Sequence, residues 1–133
     1  MEIENKIQFL DGAMGTQLQD KGLPAGASPE LFMMEHGEII EEVHAAYIDS
    51  GSDIIYTNTF GANAKKLSKS QYTVEEVITR AVQLAKSAAK RRNGVQVALD
   101  IGPIGELLEP NGYLPFEEAY ELYRQQVVAG EQA

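Results

Sequence analysis

Three times in this chain a short apolar run ends in a small polar cluster containing glycine. Phe9-Leu10 leads into Asp11-Gly12-Ala13-Met14-Gly15-Thr16, Ile54-Ile55-Tyr56 into Thr57-Asn58-Thr59-Phe60-Gly61, and Val97-Ala98-Leu99 into Asp100-Ile101-Gly102-Pro103-Ile104-Gly105. A strand that delivers a carboxylate or carboxamide at its carboxyl end, followed by a flexible turn and a helix, is how parallel α/β proteins build an active-site rim. The recurrence therefore predicts successive βα units feeding one site.

The segments between these runs support that order. Lys6 to Leu10 suits a first strand. Gln17 to Pro29 contains Gly22, Pro24, Gly26 and Pro29, which predicts an irregular connection with at most a short helical turn. Ile39, Ile40, Val43, Ala46, Tyr47 and Ile48 recur at helical spacing before Ser50-Gly51, so a helix is expected from about Gly37 to Asp49. Asp53 to Thr57 reads as a second strand. Thr73 and Glu76 form a capping-box signature ahead of the stripe Val74, Val77, Ile78, Ala81, Leu84, Ala85 and Ala88, and Lys86, Lys90, Arg91 and Arg92 crowd that helix's negative end. Val95 to Leu99 reads as a third strand. Asn111-Gly112 marks a turn, and Pro115 opens a third helix with apolar positions Phe116, Ala119, Tyr120, Tyr123 and Val127. The expected fold is α/β, with three βα units on a parallel sheet joined by right-handed crossovers. Three units do not close a barrel, so residues 1–133 are expected to be one domain that is either a small open sheet or the N-terminal part of something larger.

Composition narrows the chemistry. Twenty acidic against 11 basic residues give a formal charge of -9, which repels a phosphate backbone, so no nucleic-acid partner is expected. No run approaches the roughly 20 apolar residues of a membrane span and no secretion signal is legible, which points to the cytoplasm. With no cysteine, the chain has neither a thiolate nucleophile nor a thiolate metal ligand.

Asp11 and Asp100 each follow an apolar strand, so both belong to the same sheet edge, where a cationic group such as an α-ammonium can be held between them. Taken singly, each reads as capping amides in its own turn; the pair at matched strand ends favours the ligand. Gly12 to Thr16 can present backbone amides to a carboxylate or phosphate, or serve only as a turn; it is neither a dinucleotide fingerprint nor a P-loop. Asn58 can orient a substrate or tie down its own loop. His36 and His44 have no partner at metal-ligand spacing, Met33-Met34 reads as packing, and Lys65, Lys66 and Lys69 make a small positive spot, most simply a solvated face.

The blocks Leu10–Thr16, Thr57–Asn63 and Asp100–Leu108, together with Val43–Ile55, closely resemble the opening of the homocysteine S-methyltransferase family, and in particular its cobalamin-dependent branch. The resemblance runs from about Phe9 to the end. It implies a (β/α)8 TIM barrel, of which this chain would be the first part, with homocysteine bound at the carboxyl face. It also implies zinc holding the substrate sulfur as thiolate, and methionine synthesis with a methyl group from methylcobalamin, recharged from methyltetrahydrofolate by cobalamin and folate modules of the parent chain. Asp11 would hold the homocysteine ammonium, the loop Gly12, Ala13, Met14, Gly15, Thr16 its carboxylate, and Asn58 and Asp100 would line the floor.

The chain departs from the family in one respect. The family's zinc ligands are three cysteines in later strands, absent here, and a glutamate used on the substrate amine also lies beyond the end. On this reading the chain is an N-terminal piece that binds no cofactor and is inactive by itself. The alternative is a stand-alone α/β small-molecule-binding or self-associating module. An unrelated barrel lyase or aldolase is a third reading, but no lysine stands at a strand end to form a Schiff base.

Overall fold

The computed structural model describes residues 7–133; Lys6, where the first strand was expected to begin, lies outside them. The described residues run in the order α1 (Gly15–Asp20), α2 (Pro29–Glu35), α3 (Gly37–Asp49), β1 (Ile54–Tyr56), α4 (Ala64–Leu67), α5 (Val74–Ala89), β2 (Gln96–Ala98) and α6 (Phe116–Gln132). β1 and β2 pair in parallel with Ile55 opposite Val97. The architecture is thus mixed α/β, as the sequence implies, around a smaller sheet than expected.

The expected first strand reduces to one parallel bridge, Leu10 to Ile54, among the described residues. The Phe9 carbonyl accepts from the amides of Asp53 and Ile54, and the Asp11 amide donates to the Ile54 carbonyl. β1 therefore lies between the Phe9–Asp11 segment and β2. Phe9 and Leu10 remain 62% and 52% exposed, so this segment has hydrogen bonds but little apolar cover, and no longer ladder forms. The other two strands hold only the middle three residues of their expected spans.

Alternation along the strands sets the layers. Ile55 is fully buried with Ile48 of α3 and Ala85 and Ala88 of α5, while Tyr56 faces the other way and is half exposed. The larger core lies among the helices, where Leu18, Met33, Ile40, Val43, Val77, Ile78 and Ala81 meet. The expected α5 forms as read: Thr73 accepts from the Glu76 amide at 3.2 Å, and Glu76 accepts from the Thr73 amide at 2.8 Å. At its far end Arg91 grips Asp49 with two hydrogen bonds of 2.8 and 3.2 Å, and Arg92 reaches Asp53 and the Ser52 carbonyl. The basic cluster thus ties α5 to the turn entering β1, besides facing the helix's negative end.

One element lies outside the sequence expectations, and one expectation needs correction. The stretch expected to be irregular up to Pro29 gives way to α2, which starts there: the Ser28 hydroxyl caps the Leu31 amide at 3.3 Å and Pro29 occupies the first turn. On α6, only Ala119 of the expected apolar positions is buried. Gln126 and Ala129 complete the packed side, while Phe116, Tyr120, Tyr123 and Val127 are 66%, 58%, 37% and 50% exposed.

Candidate functional site

The polar ends of the three extended segments meet at a cleft of about 520 Å³. Asp11, Gly12, Ala13, Met14 and Gly15 line it from the first segment, Thr57 to Gly61 from the loop after β1, and Asp100 from the end of β2. Of the residues that the sequence assigns to the ligand, Thr16 alone is not in this lining; it sits exposed in the first turn of α1. The cleft also takes in Ser28, Pro29 and Glu30 from the start of α2, and Lys66 from α4.

Asp11 is held by one oxygen only. Its Oδ2 accepts from the Tyr56 amide at 3.1 Å, while Oδ1 is buried with no hydrogen-bond partner. An acceptor withdrawn from water and left without a donor is costly, so a site of this kind favours a ligand that brings one. Burial, opposed by its backbone hydrogen bonds and reinforced by the charge of Asp100, pushes the Asp11 carboxyl up to about 6. Asp100 is raised as well, by burial and then by the charge of Glu30.

The glycine loop is fixed from behind by α3. The Tyr47 hydroxyl donates to the Ala13 carbonyl at 2.8 Å, and a Cβ on Gly12 would stand 2.9 Å from that hydroxyl, so a larger residue there would have to push the ring aside. Burial and the nearby Asp11 charge raise the Tyr47 phenol above its ordinary value. Tyr47 reads in the sequence as one more member of the α3 stripe; its second role is invisible until the helix is placed.

The loop after β1 is fixed from two sides. Asn58 is buried and its carboxamide donates to the Pro29 carbonyl at 2.9 Å, so it braces its loop against α2. The Thr57 and Thr59 hydroxyls bond each other at 2.7 Å; Thr59 donates to the Asp100 carbonyl at 2.6 Å, and the Asp100 amide donates to Thr57 at 3.1 Å. Glu30, 4% exposed, accepts from the Gly61 amide at 2.5 Å and from the Ser28 hydroxyl at 2.8 Å. Sequence reading misses Glu30 altogether, although Ser28-Pro29-Glu30 is a legible helix start. Lys65, from the positive spot, pairs with Glu106 and Glu118, whereas Lys66 lies 5.5 Å over the Phe60 ring at the cleft.

The donor set does not suit zinc. The chain has no cysteine, and among the described residues no group of three or more His, Cys, Asp or Glu is placed to hold a metal. His44 is buried in the packed helix layer with neither ring nitrogen bonded, away from any ligand cluster. Among the described residues no helix is long and apolar enough to cross a membrane.

Comparison with known proteins matches this architecture to a family. The profile of the homocysteine S-methyltransferase family matches residues 8–133, and the chain belongs to that family. The methionine synthases of Mycobacterium leprae and Mycobacterium tuberculosis are each 30% identical over 95 residues, which is 67% of this chain and 8% of theirs. The oxidized form of the homocysteine methyltransferase MmuM from Escherichia coli superposes with a TM-score of 0.79 at 26% identity, over 95% of this chain and 49% of that one. Its metallated form gives 0.78 at 24% identity, over 94% and 50%. The chain thus spans about half the length of these solved structures and a far smaller share of the methionine synthases.

Proposed function

We propose that this chain supplies the amino-acid-binding part of a homocysteine S-methyltransferase of the methionine-synthesising kind, and that its cleft takes L-homocysteine. The α-ammonium sits at Asp11 with Asp100 adding negative charge, the Gly12–Thr16 loop receives the α-carboxylate, and Asn58 keeps the floor in shape. The observation that supports this best is the unpartnered Oδ1 of Asp11 at the cleft. An ammonium delivers the missing donor and an opposite charge together, and it pulls the raised Asp11 carboxyl back towards ionisation.

In this reading the three strand ends belong to the opening of a (β/α)8 barrel in the cytoplasm. Zinc and the methyl donor, methylcobalamin recharged from methyltetrahydrofolate, act through parts of the whole protein outside residues 1–133. No step at the sulfur is assigned to side chains of this chain, which is expected to bind without transferring methyl.

Calorimetry with L-homocysteine tests the proposal. Asp11→Asn keeps the shape and removes the charge, and is expected to weaken binding by roughly 10- to 100-fold at pH 7, the usual cost of losing a charge-assisted contact. The pH dependence has a definite sign. Ligand ammonium prefers ionised Asp11, so wild-type affinity is expected to fall as pH drops through about 6, and the fall should be blunted in the variant. Absence of homocysteine binding by the wild type, or equal affinity in Asp11→Asn, would overturn the reading.

A further inference from the structure

A third carboxylate stands at the cleft, on an element that the strand-end pattern does not contain. Glu30 lies in the first turn of α2, nearly closed to solvent, and both its oxygens are engaged: Oε1 by the Gly61 amide at 2.5 Å, Oε2 by the Ser28 hydroxyl at 2.8 Å. The approach is close: a Cβ on Gly61 would fall 3.0 Å from Oε1, so a larger residue there would press on the carboxylate. Beside this contact, Asn58 Nδ2 bonds the Pro29 carbonyl. The same loop holds the Asp100 backbone through Thr57 and Thr59. The 57–61 loop is therefore hydrogen-bonded to the start of α2 on one side and to the Asp100 backbone on the other.

A buried carboxylate is a costly brace. An amide or hydroxyl in its place would satisfy the Gly61 amide without the expense of withdrawing a charge from water. The other charged side chains lining the cleft are Asp11 and Asp100 from the extended segments and Lys66 from α4. We propose that Glu30 is a positioning residue of the amino-acid pocket, fixing the Thr57–Gly61 loop through Gly61 and adding the negative charge that, with Asp11 and Asp100, selects a ligand bearing an ammonium group. The assignment of that ligand as an amino acid rests on the function proposed above. With both oxygens engaged within the protein, Glu30 acts through the loop and through Asp100, whose carboxyl its charge raises.

Two variants separate brace from charge. Glu30→Gln keeps the length and an acceptor for Gly61 but removes the charge, whereas Glu30→Asp keeps the charge and shortens the reach. Two readouts need no ligand: carboxyl-carbon NMR titration of Asp100 and hydrogen exchange of the Gly61 amide. In Glu30→Gln the Asp100 midpoint is expected to fall with Gly61 protection largely kept; in Glu30→Asp the midpoint stays raised and Gly61 exchanges about tenfold faster or more. A third readout is L-homocysteine affinity, expected to weaken about tenfold in Glu30→Gln at pH 7.

An Asp100 midpoint unmoved in Glu30→Gln, together with unchanged Gly61 exchange in Glu30→Asp, would overturn the proposal. If Glu30→Gln fails to fold, Glu30→Asp decides by the Gly61 amide and by whether affinity drops with it. Wild type that binds no homocysteine would overturn the function proposed above, while the two ligand-free readouts would still decide the placement of Glu30.

Discussion

Helices α5 and α6 have 16 and 17 residues and both read as amphipathic, yet their apolar stripes meet different fates. α5 is covered along its length: Val74, Val77, Ile78, Ala81, Val82, Leu84, Ala85 and Ala88 are all buried, against α2, α3, α6 and β2. α6 buries Ala119, Gln126 and Ala129 and leaves Phe116, Tyr120, Tyr123 and Val127 open. Periodicity states that a stripe exists. Only the neighbours decide whether it becomes core. The difference matters for the site, because α5 backs the sheet whose ends carry Asn58 and Asp100.

The comparison is broken most directly at Ile78, which is 1% exposed in the centre of the α5 stripe. Ile78→Ala is expected to cost about 2–5 kcal/mol, the range for emptying a well-packed core position, and chemical denaturation measures it. A loss below about 1 kcal/mol would mean that the helix layer is loosely packed and that the contrast with α6 is unreal.

His44 tests the same layer from the α3 side. The imidazole is fully buried with neither nitrogen bonded, and burial, opposed by Glu41, lowers its pKa to about 4. In the unfolded chain it protonates near 6.5, so between those values the unfolded state binds the extra proton. The contribution to stability is complete above 6.5 and is lost as pH falls towards 4. Relative to His44→Leu, wild type is expected to lose on the order of 2–3 kcal/mol between pH 7 and 4. Parallel stability curves for the two proteins would show that His44 is reached by water.

The same contrast explains what the letters revealed. α5 was legible because its apolar spacing, capping box and stop residues agree, and α3 because its apolar spacing runs up to Ser50-Gly51. The convergence of Asp11, Asn58 and Asp100 was legible because parallel segments must end on one side. What stayed hidden depended on distance through space. Ser28-Pro29-Glu30 was masked by the glycines and prolines before it, although serine at the cap and proline in the first turn were there to be read. Glu30 and Tyr47 acquire their roles 31 and 34 residues away in sequence, at Gly61 and Ala13, which no local pattern announces. The first strand is shorter than expected for a related reason: apolar letters alone do not make a strand, which also needs cover that Phe9 and Leu10 lack.

The smallest effect is expected on the open stripe itself. Tyr120 is 58% exposed, one turn from Phe116 and close in helical phase to Tyr123 and Val127. Tyr120→Ser removes a ring that rests mainly against water, so the change in unfolding free energy should stay within about 0.5 kcal/mol. Serine is a slightly poorer helix former than alanine but close to tyrosine, so intrinsic propensity does not mask the result. The measurement is informative in both directions. A value near zero confirms that α6 differs from α5 in cover and not merely in composition. A loss above about 2 kcal/mol, of the size expected for burying an aromatic ring, would show that something packs on this face in solution. Repeating the experiment over a range of protein concentration then separates the sources: a second copy of the chain makes the loss grow with concentration, and a rearranged α6 does not.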